Sequence, residues 1–241
     1  MKKITLILFI IFPIINIIAQ NKDIYGSVYY KFTPNNNEIT KRNNAKKNVK
    51  DMYKGLYEFI ADVKFKLEFV NKKSIFSVKD ELDNGLKPKG ASIASKLISN
   101  GSYYCDLNED IQLRKVDGEI LVETQPSNIK WILTQETKKI NNYLCYKAIS
   151  SVTNKNSTGV YTFEIIAWYT PEISVASGPK QFVGLPGLVL ELKDTHYTFF
   201  ATEIVLFPKE KPIIKPFKGK IITEEKYQER IREMMGGFIK R

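Results

Sequence analysis

The sequence has few of the side chains on which most enzymes and metal sites depend. It contains one histidine, His196, and two cysteines in 241 residues. A metal centre built from imidazoles and thiolates is therefore not expected, and triad catalysis would have to use that one histidine. Gly-x-Ser-x-Gly, phosphate-loop and HExxH motifs are also missing. We expect a protein that is not an enzyme and needs no cofactor.

Long apolar runs are scarce as well, and the only one stands at the N-terminus. Lys2 and Lys3 precede an uncharged apolar stretch, residues 4–18, which is the arrangement of a secretory signal peptide. The stretch is shorter than the about 20 residues that span a bilayer. Cleavage after Ala19 is favoured, with an uncleaved anchor as the alternative. We expect an exported protein, periplasmic or secreted, that begins near Gln20.

Acidic residues are fewer than basic ones, 26 against 37, and the net charge is +11. Such a surplus attracts anionic lipid, acidic polysaccharide or nucleic acid. The lysines are scattered along the chain rather than clustered, and export argues against a nucleic-acid partner. Charge alone therefore selects no ligand.

The two cysteines, Cys105 and Cys145, form an even pair in a chain predicted to reach an oxidising compartment. A bridge would close a loop of 145 − 105 = 40 residues and stabilise the fold by roughly 3–4 kcal/mol. It requires neighbouring strands with Cα atoms less than about 7 Å apart. Two buried free cysteines are the alternative.

Short segments of β-type pattern dominate the chain. Residues 63–69 alternate apolar with charged side chains, which predicts a strand with one face in the core. Asp117-Gly118 predicts a hairpin. Because no helical pattern separates the later strands, the predicted fold class is mainly β (α+β), with one large curved antiparallel sheet. Strands are predicted over residues 25–32, 63–69, 74–78, 101–106, 111–116, 119–123, 131–133, 144–151, 160–169, 188–193 and 197–207.

Two helices accompany these strands. The one in the N-terminal half carries apolar residues at helical spacing: Val49, Met52, Leu56 and Phe59. The C-terminal one is capped by Thr223, and Gly236-Gly237 is expected to end it. The domain organisation is a signal peptide (1–19), an antiparallel β domain (20–208), and a Pro-rich linker with the C-terminal helix packed on or near the domain (209–241).

The string Gly184-Leu185-Pro186-Gly187-Leu188 predicts a rigid turn. Pro186 presets φ at the second position, and Gly187 supplies the positive φ that a type II turn requires next. The two leucines are either held in the core or displayed to a partner or lipid. We expect Leu188, which begins an alternating apolar face, to be core and Leu185 to be the more exposed.

This turn belongs to a longer ordered set of residues. The set comprises Trp131, Glu136, Thr137, Lys138, Ile140, Tyr143, Cys145, Lys147, Ala148, residues 167–173, Gly178, Pro179, Phe182 and residues 184–191. It resembles the GLPGLI proteins that are widespread among Bacteroidetes, with Val189 in place of the final Ile. The resemblance implies a secreted or periplasmic protein but no activity. By looser analogy, the strand pattern is similar to the open half-barrel of periplasmic lipoprotein carriers, which cup an acyl chain.

Two functional hypotheses follow. The leading one is a non-enzymatic periplasmic or envelope protein that binds an apolar or lipid-linked ligand, which needs an apolar cavity of some hundreds of Å³. The alternative is an interaction module for an outer-membrane assembly or transport machine, which needs an exposed apolar patch around the turn. The predicted binding residues are Trp168, Tyr169, Pro171, Gly184, Leu185, Pro186, Gly187 and Leu188.

Overall fold

Twelve strands and three α-helices make up the part of the chain that the computed structural model describes, residues 23–35, 39, 43–79, 90–156 and 159–239. The predicted signal peptide lies outside these residues. The strands are β1 Tyr25–Pro34, β2 Phe65–Val70, β3 Lys73–Val78, β4 Ser102–Asp106, β5 Ile111–Asp117, β6 Ile120–Thr124, β7 Ile132–Ile140, β8 Tyr143–Asn156, β9 Gly159–Thr170, β10 Leu188–Lys193, β11 Tyr197–Leu206 and β12 Lys220–Thr223. The helices are α1 Lys47–Ile60, α2 Ala91–Ala94, which continues as a π-helical turn over Ser95–Ser99, and α3 Glu224–Ile239.

All twelve strands belong to one open sheet. Their order is β12-β6-β5-β4-β3-β2-β1-β11-β10-β9-β8-β7, so β12 and β7 are the two edges. The mainly β class with two long helices, predicted from the sequence, is confirmed. Neighbours pair antiparallel except β12, which runs parallel to β6 with Lys220 opposite Ile120. Residues 220–223 are therefore part of the sheet, which differs from the predicted domain boundary at residue 208.

Several hairpins turn on residues with left-handed backbone. Asn71 lies between β2 and β3 with φ 54°, Gly118 between β5 and β6 with φ 50°, and Asn141 between β7 and β8 with φ 51°. Glycine and asparagine tolerate this conformation better than other residues do. The Asn71 side chain also accepts a hydrogen bond from the Ile24 amide. These turns set the antiparallel register of the strands that they join.

The core lies against one face of the sheet, which we call the inner face. Phe65 and Phe76 stack there with ring centroids 5.5 Å apart, and Phe199 packs edge-on against both rings. The Tyr30 hydroxyl donates a hydrogen bond of 2.6 Å to the Val189 carbonyl. Helices α1 and α2 and residues 171–187 cover these rings with buried side chains: Ile60, Ala94, Ile98, Ile173, Val175, Phe182 and Leu185. Among the described residues, these side chains therefore pack together with the rings into one core cluster on the inner face.

The C-terminal helix differs from its predicted end. The Thr223 hydroxyl accepts a hydrogen bond from the Lys226 amide, which is the predicted N-terminal cap. At the other end, the helix runs through Gly236 and Gly237 to Ile239, so the prediction that these glycines end it is wrong. A glycine inside a helix costs only about 1 kcal/mol relative to alanine. Within the described part of the chain, no helix has the length and apolarity to cross a membrane.

Helices α1 and α2 lie at the same end of the sheet. Residues 61–64 lead from α1 into the first residue of β2, and Asn100 and Gly101 lead from the end of the π-helical turn into β4. Because β2 and β4 both pair antiparallel with β3, their first residues lie at the same end of the strands, beside the last residues of β3. We call this the helical end.

Candidate functional site

The predicted binding residues differ widely in exposure. Pro171, Gly184 and Pro186 are exposed, and Trp168 is half-buried. The remaining four are buried: Tyr169, Leu185, Gly187 and Leu188. The apolar side chains that this segment was expected to offer are thus mostly inside the protein.

The turn has a different backbone from the predicted type II geometry. The positive φ lies at Gly184, at 88°, and not at Gly187. The Gly187 amide donates a 2.8 Å hydrogen bond to the Leu185 carbonyl, which closes a three-residue turn around Pro186. Glycine is needed at position 187 because a Cβ there would stand 2.1 Å from the Thr170 carbonyl oxygen. Close approach of two backbone segments, rather than φ, explains this glycine.

Both leucines of the turn belong to the core. Leu188 is 0% exposed, as predicted, but Leu185 is 1% exposed, so the prediction that it is the more open residue is wrong. The Leu188 amide donates to the Ile173 carbonyl at 3.1 Å, which draws the turn against residues 171–175. Leu185 then joins Ile173 and Phe182 in the core cluster. We call residues 171–187 the plug segment, or plug, because their buried side chains pack against the inner face.

Trp168 and Tyr169 are not brought together, because successive residues of a strand point to opposite faces. The Lys138 ammonium lies 4.3 Å from the centre of the Trp168 ring and 2.8 Å from Glu191 Oε2. Tyr169 packs instead near Tyr146, with ring centroids 6.2 Å apart. The two aromatic residues therefore do not form one binding surface.

The predicted disulfide is contradicted. Cys105 lies on β4 and Cys145 on β8, and six strands separate these two in the sheet order. Both are buried free cysteines. Burial raises the pKa of the Cys105 thiol to about 12 and that of Cys145 to about 11, which suits packing rather than nucleophilic chemistry.

A surface that was not among the predicted site residues lies on α1. Ile60, on one edge of the apolar stripe of this helix, is fully buried, whereas Met52 is 61% and Phe59 48% exposed. Met52 and Phe59 are almost two helical turns apart and so occupy the same edge. The body of the protein covers one edge of the stripe and leaves the other open. The helical periodicity signalled the stripe but not which edge would stay uncovered.

Helix α2 and the π-helical turn also carry exposed apolar side chains. Ile93 is 38% and Leu97 53% exposed, while Ala94 and Ile98, between and beside them, point into the core. Gly90, which precedes α2, packs so closely on α1 that a Cβ there would stand 3.0 Å from the Phe59 ring. We call Met52, Phe59, Ile93 and Leu97 the apolar patch.

Lysines accompany the apolar patch. Lys47, Lys50 and Lys54 are exposed on α1, where the acidic residues are Asp51 and Glu58. Lys54 and Glu58 approach to 3.9 Å, but both side chains are mostly in water, so their pairing contributes little. Helix α1 thus combines exposed apolar side chains with three lysines against two acidic residues, an excess of one positive charge.

A small recess opens beside the apolar patch. It has a volume of about 280 Å³ and is lined by five polar residues, with Val116 and Gly118 completing the wall. The polar residues are Ser92, Ser95, Lys96, Ser102 and Lys115. Ser102 and Lys115 stand directly opposite each other on β4 and β5, so their side chains share one face.

Comparison with known proteins places one segment of the chain and its fold. Residues 153–191 match the model of a family described as "Protein of unknown function (Porph_ging)". The match covers the plug segment, and the GLPGLI resemblance stays a prediction. No curated protein matches the chain.

Two solved structures share the fold. The structures of PNGF-II in the C2 and P21 space groups align with TM-scores of 0.51 and 0.50, each at 15% identity over 86% of this chain. The chain spans only 32% and 33% of those chains. At this identity the likeness concerns the β-rich fold alone.

Proposed function

We propose that this protein is an exported, non-enzymatic envelope protein that binds an anionic lipid surface through the apolar patch. The observation that carries the proposal is the uncovered edge of α1, where Met52 and Phe59 stay 61% and 48% exposed. An amphipathic helix with lysines on its polar face and large apolar residues on the other is a typical membrane-surface element. Here α1 is held on a folded body, so no ordering of the helix is needed on binding.

The expected energies suit reversible binding. Full burial of a Met, Leu, Ile or Phe side chain contributes roughly 1.5–3 kcal/mol, and the four residues of the apolar patch are about half exposed. Each therefore adds on the order of 1 kcal/mol when it enters the interface. Each lysine near an anionic bilayer adds about 1 kcal/mol more. The sum corresponds to peripheral attachment rather than to permanent insertion.

Two other readings have less support. An internal acyl-chain carrier needs a connected apolar cavity, but the described rings and residues 171–187 pack together on the inner face, and five of the seven residues that line the recess described above are polar. An interaction module that uses residues 168–188 needs large apolar side chains on display, but the exposed members of that segment are Pro171, Glu172, Ser174, Gly184 and Pro186. Helices α1 and α2 do display large apolar side chains, and lysines accompany them on α1.

Vesicle co-sedimentation tests the proposal. The mature chain is mixed with vesicles of phosphatidylcholine alone or with about one third phosphatidylglycerol. We expect binding to the anionic vesicles and a loss of at least about fivefold in the M52S/F59S variant. The matched control is Met234→Ser on α3, which replaces a methionine that is 57% exposed at a different place.

The fold of each variant is checked by its melting temperature, which should change little because the substituted side chains are exposed. A chain that ignores anionic vesicles, or an M52S/F59S variant that binds them as tightly as the parent, contradicts the proposal.

A further inference from the structure

We infer that the recess beside α2 binds the phosphate group of an anionic lipid headgroup, an inference that rests on the proposed lipid binding. The phosphate is the part of the lipid that apolar side chains cannot recognise. Three serine hydroxyls and two lysine ammonium groups line the recess: Ser92, Ser95, Lys96, Ser102 and Lys115.

The recess-lining and the exposed apolar side chains of α2 and the π-helical turn point in different directions. Successive residues of a helix point about 100° apart, so Ser92 and Lys96 share one side. Ile93 and Leu97 share the next side, and Ala94 and Ile98 face the core. Ser92 and Lys96 of the recess therefore stand next to Ile93 and Leu97 of the apolar patch on one short helix. A lipid whose headgroup enters the recess keeps its acyl chains beside Ile93 and Leu97.

The chemistry of the lining selects an anion. Hydroxyl and ammonium groups donate hydrogen bonds, and a phosphate offers several acceptor oxygens and a negative charge. Among the described residues that line the recess there is no carboxylate. The lining therefore lacks the negatively charged ligand that a metal cation prefers. Val116 and Gly118 complete the wall without adding charge.

The size and position of the recess favour a headgroup over an acyl chain. Pockets for apolar ligands are usually larger, about 300–1,000 Å³, and mostly lined by hydrophobic side chains. This one is about 280 Å³ and polar. It also opens at the helical end, beside the patch that the proposal places on the bilayer. The lipid can be recognised without leaving the membrane.

The test compares two double variants with the same loss of charge. K96Q/K115Q removes both ammonium groups of the recess, and K50Q/K54Q removes two lysines from the polar face of α1. Binding to vesicles that contain one third phosphatidylglycerol is measured for the parent and both variants. We expect K96Q/K115Q to weaken binding at least about fivefold more than K50Q/K54Q does.

Each outcome decides the inference. Equal losses in the two variants mean that the lysines act only through net charge, which overturns the headgroup site while lipid binding stands. If the parent does not bind vesicles at all, lipid binding itself fails and the headgroup inference falls with it. In that case a glycerol 3-phosphate titration followed by calorimetry shows whether the recess serves a soluble phosphate compound, through binding that K96Q/K115Q abolishes.

Discussion

The Lys180 ammonium lies 2.7 Å from Asp194 Oδ2, and the pair is largely buried between the plug segment and the turn that joins β10 to β11. The second carboxylate oxygen of Asp194 accepts hydrogen bonds from the backbone amides of His196 and Tyr197, each at 2.8 Å. One side chain therefore holds the plug and shapes the next hairpin. Burial alone would lower the Lys180 pKa, but Asp194 raises it above its usual value.

We predict that Asp194→Ala destabilises the protein by about 3–5 kcal/mol, because Lys180 would be left buried without its counterion. Urea unfolding measures the change. Lys193→Ala, an exposed neighbour on β10, should change stability by less than about 0.5 kcal/mol. The K180M/D194N double variant, which removes both charges, should be more stable than Asp194→Asn alone, which keeps an acceptor oxygen for the His196 and Tyr197 amides but leaves Lys180 without its counterion. A double variant at least as unstable would show that the ion pair is not the cause.

Three glycine-to-alanine changes separate close approach from backbone strain. Gly187→Ala should cost roughly 1–3 kcal/mol or more, because the new Cβ meets the Thr170 carbonyl. Gly184→Ala meets no atom within 4 Å but must hold a φ of 88°, so on the order of 1 kcal/mol is expected. Gly55→Ala, in open space on α1, should stabilise by roughly 0.5–1 kcal/mol. Denaturant midpoints rank the three, and a milder effect at position 187 than at 184 would contradict the close approach.

Leu185→Ala tests the plug. Since the side chain is 1% exposed and packs in the core cluster, its truncation should lower stability by about 2–5 kcal/mol. Pro186→Ala, at the exposed next residue, serves as the control and should have a small effect. Thermal and urea unfolding measure both. A cost below about 1 kcal/mol for Leu185→Ala would favour display of the leucine over packing.

The cysteines should both be free thiols. Denatured protein without reductant is expected to show two reactive thiols per chain, because six strands lie between Cys105 and Cys145 in the sheet. In the native state, burial and raised thiol pKa values should make alkylation at about pH 8 slow. Thiol counting with and without denaturant gives the answer. Absence of reactive thiols in the denatured chain would show that a bridge forms.

Acid should weaken the contact between β3 and β4. Burial alone would raise the Asp106 pKa, but a hydrogen bond from Lys73 and the Asn108 amide hold it below its usual value. Since the folded pKa is below the unfolded value of about 3.9, this stabilisation is complete above about pH 4 and is lost as pH falls through the folded pKa.

The Asp106→Asn variant should therefore lose less stability than the parent between about pH 5 and pH 2. Urea midpoints across this range measure the difference. The Glu58→Gln variant, with the same charge change at an exposed position on α1, should follow the parent. Parallel curves for parent and Asp106→Asn would exclude the contribution of this carboxylate.

Local patterns in the sequence predicted eleven of the twelve strands, the β5–β6 hairpin and helix α1, but not β12. Residues 63–69 alternate because successive strand side chains point to opposite faces, and this needs no knowledge of the strand's partners. The left-handed turns of Asp117-Gly118 type are equally local. Strand order is not local: β1 lies between β2 and β11, and β12 returns in parallel beside β6 across a proline-rich connection. The separation of Cys105 from Cys145 follows from that order.

The plug and the apolar patch show what only the tertiary structure decided. The sequence predicted that position 187 needs a glycine, but a glycine can be required either by a positive φ or by the close approach of another backbone segment. Only the position of Thr170 shows that close approach is the reason here. Leu185 lies in the turn around Pro186, and Met52 lies on the apolar stripe of α1; both are apolar residues. One is buried and the other exposed, because burial depends on which distant segment covers a side chain. Sequence periodicity determines that a helix has an apolar face, and packing determines how much of that face stays exposed to solvent.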